Sequence, residues 1–183
     1  PPRSTLFPYT TLFRSMAITN THVFELIKQT EMEIFSKINS WNDPNSWDIK
    51  SQIQRSTLSI SNNIIEGAAR GTVASLLHFI MIADGSIQET KNALRVALSL
   101  SLLNPDEESE LRSKLSKISI GLIKLAHKQL EFHPTYNGKY REIILRRIES
   151  MNKSFNKTNH HNQPRVEKTD EHNHENNDQP PED

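Results

Sequence analysis

Apolar residues recur every three or four positions in four successive stretches between Met16 and His133. Residues that favour turns, such as Gly71 and Asn104-Pro105, separate the stretches. This period is typical of helices that bury one face, whereas half-buried strands alternate every second residue. Four such helices joined by short loops predict an all-α fold, an antiparallel up-down-up-down four-helix bundle. The predicted helices cover about 21–38, 47–70, 73–102 and 105–133.

Residues with capping propensity mark the ends of these helices. Thr21 is the predicted N-cap of the first helix, and Thr72 restarts the chain as a helix directly after the stop at Gly71. Pro105 and the three acids after it begin the fourth helix, because proline is tolerated in a first turn and acids favour the positive end of the helix dipole. A shorter, basic C-terminal helix is predicted at about 139–151.

Charge and hydrophobicity divide the rest of the chain. Residues 1–15 contain Thr-Leu-Phe twice and resemble translated sequencing-adaptor read-through, so we expect a non-native extension there and a natural start at Met16. Residues 16–133 are the predicted bundle. Residues 134–157 are predicted to form a basic helical extension, because they include six basic and two acidic residues. Residues 158–183 carry two basic and seven acidic residues and little apolar surface, which predicts a disordered acidic tail rich in His and Asn.

Composition excludes several classes of protein. The 183 residues include no Cys, which excludes disulfides, zinc ribbons and thiolate chemistry, and only 5 Gly, which leaves little material for phosphate-binding loops. No apolar run approaches the roughly 20 residues that span a bilayer. We therefore expect a soluble cytoplasmic protein that does not bind a membrane.

The titratable residues do not suggest an enzyme. His22, His78 and His127 are scattered along the predicted bundle, without the Glu-x-x-His pairs of di-iron bundles. Glu66 is the one acid that we expect to be buried, and a structural partner for Asn63 or Arg70 is a simpler role for it than a general base. The expectation is a non-catalytic protein with no cofactor and no metal. The four His of the tail (160, 161, 172 and 174) fit a solvated segment better than a metal site.

The second and third helices have more apolar residues than one buried stripe requires. Leu58 and Ile65 form a second stripe on the second helix. Apolar surface beyond the needs of the core indicates an interaction site, so we expect self-association. The corresponding stripe on the third helix consists of Phe79, Ile82, Ala93, Val96 and Leu100.

Small and polar residues line one side of the second helix. Ser56, Ser59, Asn63 and Gly67 follow one another at helical spacing, so a neighbouring helix can approach closely, and a buried Asn63 would fix the register of the two helices. Gly85-Ser86 on the third helix is the expected point of contact with Gly67. Glu66 and Arg70 are predicted to form an i,i+4 ion pair.

Two blocks of residues in these helices resemble a known family. Arg55-Ser56, Ser59-Ile60, Asn63-Ile64, Glu66-Gly67 and Arg70 resemble the signature of the four-helix bundle proteins encoded in intervening sequences of bacterial 23S ribosomal RNA. Leu76, Phe79-Ile80, Ala83, Gly85-Ser86, Glu89-Thr90 and Leu94 are similar to its second block. The chain departs from the family at Ser61, where members often have Pro, and at Ile65, commonly a small residue.

The resemblance implies assembly as well as fold. Family members form closed pentamers, so a homopentamer is expected here. The residues that the resemblance implies for the structural or oligomer signature are Arg55, Ser59, Asn63, Glu66, Gly67, Arg70, Gly85, Ser86 and Glu89. A related branch, the accessory protein of diversity-generating retroelements, binds a reverse transcriptase and nucleic acid through a basic surface.

Two functions stay open at this point. One is association with RNA or the ribosome through a basic cluster that consists of Arg141, Arg146, Arg147, Lys153 and Lys157. A solvated surface helix explains the same cluster equally well, and the net charge of −1 over residues 16–133 argues against a strongly basic bundle. The alternative is an oligomeric adaptor that docks a partner protein such as a retroelement reverse transcriptase.

Overall fold

The structure is a computed structural model that describes Ile18 and residues 21–161, without the side chains of Asn45 and of residues from 155 onwards. This part of the chain contains five helices and no strand. Within it, every helix falls short of the combined length and apolar content that crossing a membrane requires. The helices are α1 His22–Asn39, α2 Trp47–Ala69, α3 Val73–Ser99, α4 Pro105–Phe132 and α5 Tyr140–His161, with a 3-10 turn Pro44–Ser46 before α2.

Side-chain caps begin three of the helices, two of them at the predicted positions Thr21 and Thr72. The hydroxyl of Thr21 accepts a hydrogen bond from the backbone N–H of Phe24, and the hydroxyl of Thr72 accepts one from that of Ser75. Asn104 and Glu107 form a capping box at the start of α4. Gly71 lies between α2 and α3 with φ of 71°, a left-handed conformation that favours glycine.

The first four helices pack around one apolar core, with α1 beside α2 and α4, and α3 between α2 and α4. Helices α1 and α4 are antiparallel, because Glu33 bonds Lys114 whereas Lys37, further along α1, bonds the earlier residue Glu107. Helices α2 and α3 are antiparallel as well. The prediction of four packed helices plus a C-terminal helix is confirmed, and the complete up-down order stays a prediction. The largest fully buried side chains are Ile27, Ile34, Ile38, Ile53, Ile60, Ile64, Leu77, Ile80, Ile87, Leu94, Leu115 and Ile118.

Helix α5 packs mainly on α4 and on the edge of α3, with the side chain of Ile144 fully buried. It ends at His161, so the predicted end near residue 151 was wrong and the helix enters the segment predicted as tail. Residues 152–161 contain no Pro or Gly that would end a helix, although their polar composition gives no periodicity. The predicted extension over 1–15 and the tail from 162 to 183 lie outside the described residues.

Candidate functional site

Hydroxyl groups join α2 to α3 along the segment that carries the first signature block. The hydroxyl of Ser86 donates to that of Ser59 at 2.9 Å, and the hydroxyls of Thr90 and Ser56 are hydrogen-bonded at 2.9 Å. Ser56, Ser86 and Thr90 are buried. Since buried polar groups are costly when unpaired, these two bonds favour one register of the two antiparallel helices.

Gly67 marks the closest approach of the two helices. A Cβ atom added at Gly67 would lie 2.7 Å from the Cβ of Phe79 and 3.4 Å from the Cα of Leu76. The prediction that Gly67 faces Gly85 was wrong, because antiparallel packing places Gly67 level with residues 76–79. Gly85 lies on the exposed side of α3, with nothing within 4 Å of an added Cβ.

Asn63 and the Glu66–Arg70 pair act within α2. The side-chain amide of half-buried Asn63 donates to the carbonyl oxygen of Ser59 at 2.6 Å and to its hydroxyl at 2.9 Å. The hydroxyl bonds described above, rather than Asn63, therefore connect the helices. The predicted ion pair is present, with Arg70 Nε 2.7 Å from Glu66 Oε1. The Arg70 guanidinium also lies 5.2 Å from the centroid of the Phe79 ring. Arg70 therefore covers the aromatic ring beside Gly67.

The nine signature residues do not form one site. Ser59, Gly67 and Ser86 lie where α2 meets α3, and Asn63 is at its edge. The other five are exposed on α2 and α3: Arg55, Glu66, Arg70, Gly85 and Glu89. The first group joins the two helices, whereas the second lies on the surface, where Glu66 and Arg70 pair with each other.

Among the described residues, the buried acids are Asp84 and Glu108. The prediction that Glu66 is buried was wrong, because its side chain is exposed. Asp84 is 2% exposed; its Oδ1 accepts from the hydroxyl of Ser119 and its Oδ2 lies 2.5 Å from Arg147 Nη1. Both oxygens therefore have partners from other helices. A signal for Asp84 exists in the sequence: it follows Leu77 and Ile80 at core spacing, where a charge requires a buried partner.

A buried acid with both oxygens occupied suits structure better than catalysis. The carboxylate joins α3, α4 and α5, with one hydrogen-bond partner on each oxygen. His78 and His127 are not brought to it: His78 Nδ1 lies 2.5 Å from the Tyr140 hydroxyl, and His127 Nδ1 lies 3.5 Å from Glu131. Within the described residues no three His, Asp or Glu side chains are grouped to hold a metal ion.

Two cavities of about 360 Å³ lie at the surface of the bundle. One is mainly apolar and opens where the α2–α3 turn meets the end of α4, lined by residues such as Ala68, Leu76 and Phe132. The other lies under α5 beside Asp84 and Arg147. Neither combines a titratable group lacking a partner with a second group in reach of the same substrate atom, which is the arrangement acid–base chemistry needs.

The basic cluster predicted as a nucleic-acid contact is distributed over several structural roles. Arg141 donates to the backbone carbonyl oxygens of Pro134 and Tyr136, and Arg147 bonds Asp84. Arg146 pairs with Glu142 at 3.5 Å, and Lys153 pairs with Glu149 at 2.7 Å. The side chain of Lys157 lies outside the described part. Each of the four described cations thus has a partner on the protein.

Glu31 and Ser61 form a hydrogen bond between α1 and α2. The carboxylate of Glu31 on α1 accepts the backbone N–H of Ser61 on α2 at 3.3 Å, a bond that proline lacks the hydrogen to make. Burial raises the pKa of Glu31, and the hydrogen bonds from Ser61 oppose that shift. The contact also shows that the Ser61 side of α2 faces α1.

The second apolar stripes remain largely uncovered in the single chain. Leu58 and Ile65 are 45% and 47% exposed on α2. On α3, Ile82 and Val96 are 38% exposed and Leu100 54%, while Ala93 is buried and Phe79 is partly buried. Hereafter the α2 line means Leu58 and Ile65, and the α3 line means Ile82, Val96 and Leu100.

These features define a helical bundle protein whose polar residues join helices and whose apolar side chains extend to the surface. The family model described as 23S rRNA-intervening sequence protein matches residues 19–124, more than half of the chain. The chain belongs to this family, as the two signature blocks indicated. The matched range ends within α4, so α5 lies outside it. The chain has no match among curated proteins.

Proposed function

We propose that this protein is a non-catalytic homo-oligomer, most simply a pentamer, that associates with RNA or the ribosome in the cytoplasm. The observation that carries the oligomer is the exposure of the α2 line and the α3 line, five large apolar side chains at 38–54% exposure. Single exposed apolar residues are normal, but lines of them at helical spacing indicate an interface.

The two lines are separated on the bundle surface: the α2 line lies on the side of α2 that faces α1, and the α3 line lies beyond the side of α2 that contacts α3. Leu58 and Ile65 are three residues before and four after Ser61, so they lean towards α1. Ile82 is one turn before Ser86, which bonds α2, so the α3 line runs beside the α2–α3 contact. Exposed Arg55 and Glu66 lie between the two lines. A copy that presents two unlike surfaces assembles head to tail, and a head-to-tail contact that closes produces a ring.

The site geometry supports a role without catalysis. The buried carboxylate of Asp84 is used to hold α5, and Glu66 forms an exposed ion pair with Arg70. The family description names a ribosomal RNA gene element and no reaction. RNA association draws its support from that description and from exposed lysines on α4.

The alternative, an adaptor for a partner protein, draws support from α5. Its described cations are paired, and it presents Ile143 and Leu145, 36% and 41% exposed, on its outer surface. Such a surface suits protein docking better than phosphate binding. An assembled protein that binds no RNA would favour this adaptor role.

Light scattering of the full chain tests the assembly. We expect a mass of about five times the 21.0 kDa of one chain, and a much smaller mass for the variant L58K/I65K, because two lysines on the α2 line would be buried against a neighbour. The matched control is I143K/L145K, which adds the same charges on α5 and should keep the assembly. A wild-type mass of one chain at high concentration would overturn the proposal.

A further inference from the structure

The cations of α4 are not distributed like those of α5. Between Glu110 and Glu131 this helix has five Lys or Arg residues and no acid. Arg112 pairs with Glu108, and Lys114 pairs with Glu33 and Glu110. In the described structure the other three carry neither an ion pair nor a hydrogen bond to the protein: Lys117, Lys124 and Lys128.

These three lysines form one line, the α4 lysine line. Their separations of seven and four residues place them on one side of the helix, about 10 and 6 Å apart along its axis. All three are exposed. On α1, Glu33 is already bonded to Lys114 and Glu25 to Lys28, which lowers the competition for their charge.

The α4 lysine line also lies away from the proposed interfaces. Helix α4 packs against α1 and α3 and is diagonal to α2 in the bundle. The side of α4 that carries the lysines leans towards α1, because Lys114 and Gly121, which contact α1, lie next to it on the helix surface. A ring built through the α2 and α3 lines therefore leaves every copy of the α4 lysine line accessible.

We propose that the α4 lysine line is the surface that binds the phosphate backbone of a nucleic acid. Phosphate contacts need cations whose charge is not already neutralised, and they release counterions from the polyanion when they form. The line meets that need, whereas the described cations of α5 do not. Three point charges without a set of convergent hydrogen-bond donors provide affinity for a backbone and no base readout. This inference deepens the proposed RNA association and supplies its contact residues.

The test compares two triple variants of the full chain. The first is K117Q/K124Q/K128Q; the matched control is R146Q/K153Q/K157Q, which removes three cations from α5. Binding of a fluorescein-labelled 20-nucleotide single-stranded RNA is measured by anisotropy at 50 and 200 mM KCl. For wild type we expect affinity to fall steeply with salt, and for the first variant a loss of at least about tenfold at 50 mM. Its plot of log affinity against log salt should be flatter by about 2 per copy engaged. The control should bind as wild type does.

Several results would overturn the proposal. An equal loss in both variants, or a loss in the control alone, would move the contact away from the α4 lysine line, and so would a wild-type protein that binds no RNA. Equally tight, competing binding of polyglutamate would make the partner an acidic polypeptide instead. Light scattering of each variant distinguishes these results from a failed assembly. Lost RNA binding at unchanged mass shows that the lysines themselves are needed, whereas a lower mass shows that the variant no longer assembles.

Discussion

At the scale of single residues, Gly67 is the glycine at which the fold least tolerates a side chain. A methyl group there would meet the Cβ of Phe79 at 2.7 Å, and that atom is fixed to the backbone of α3 and cannot swing away. We expect Gly67→Ala to lower the free energy of unfolding by about 1–3 kcal/mol, the usual cost of overpacking. Urea unfolding followed by circular dichroism measures the change.

Gly85 supplies the matched control for that substitution. It is a helical glycine with open space around an added Cβ, so Gly85→Ala should raise the free energy of unfolding by about 0.5–1 kcal/mol through helix propensity. Opposite signs for the two glycines are the expected result. A stabilising Gly67→Ala would mean that α2 and α3 do not approach each other as closely as described here.

Burial is the residue property that the sequence predicted least well. Glu66 belongs to the signature and was predicted to be buried, but an exposed ion pair with Arg70 satisfies it locally. Asp84 is buried because Arg147, 63 residues later in the chain, covers it. Spacing along the sequence can reveal a local pair such as Glu66 and Arg70, but not a contact between residues 63 positions apart. The burial of Asp84 was therefore missed.

At the scale of elements, α5 is attached to the bundle by a few specific contacts. Ile144 is fully buried, Arg147 bonds Asp84, and Tyr140 bonds His78. A cavity of about 360 Å³ remains beneath the helix. Further along α5, Asn152, Lys153 and Ser154 are exposed. With few contacts besides these, we expect the helix to open separately from the other four.

Asp84→Asn tests this attachment. The substitution keeps the size and a hydrogen bond to Ser119 but removes the charge that holds Arg147. Breaking a buried pair costs about 3–5 kcal/mol, and less here because the Arg147 side chain is 41% exposed and regains water. We expect hydrogen exchange of the amides at 144–151 to rise at least about tenfold, the equivalent of about 1.4 kcal/mol. The core amides of α2 should keep their protection.

Glu66→Gln is the control for that experiment, since it removes a carboxylate from an ion pair of which both side chains are about half exposed. Its effect on exchange in either helix should be small, because exposed pairs contribute about 0–1 kcal/mol. If Asp84→Asn leaves α5 exchange unchanged, or raises exchange equally in α2 and α5, α5 unfolds only with the whole bundle and the attachment is not separate.

Helix boundaries were the part of the fold most open to prediction. Thr21 and Thr72 were predicted at helix starts because a cap acts locally, and both form their bonds in the structure. Asn104 was predicted only as the end of α3, and the structure shows that it also caps α4. The end of α5 was missed because no Pro or Gly stops the helix before Pro164. Its docking on α3 and α4 was missed as well, because the contact depends on a buried pair that no periodicity reveals.

At the scale of the whole molecule, the proposed assembly depends on the apolar lines on α2 and α3. A two-fold dimer buries the same patch of both copies, whereas a head-to-tail contact buries the α2 line of one copy against the α3 line of the next. The described surface fits the second arrangement, because the two lines differ in length and lie on opposite sides of exposed Arg55 and Glu66.

Mixing two assembly-deficient variants distinguishes these arrangements. L58K/I65K has a damaged α2 line and an intact α3 line, and I82K/V96K has the reverse. In a head-to-tail ring each variant alone is a single chain, but an equimolar mixture still has one intact pair of lines, so we expect a species of twice the chain mass by light scattering. Two lysines at a contact prevent its burial, and they leave the other line untouched. A two-fold contact through one line would instead leave the variant that keeps this line a dimer on its own. A mixture that stays at the mass of one chain would contradict the head-to-tail contact.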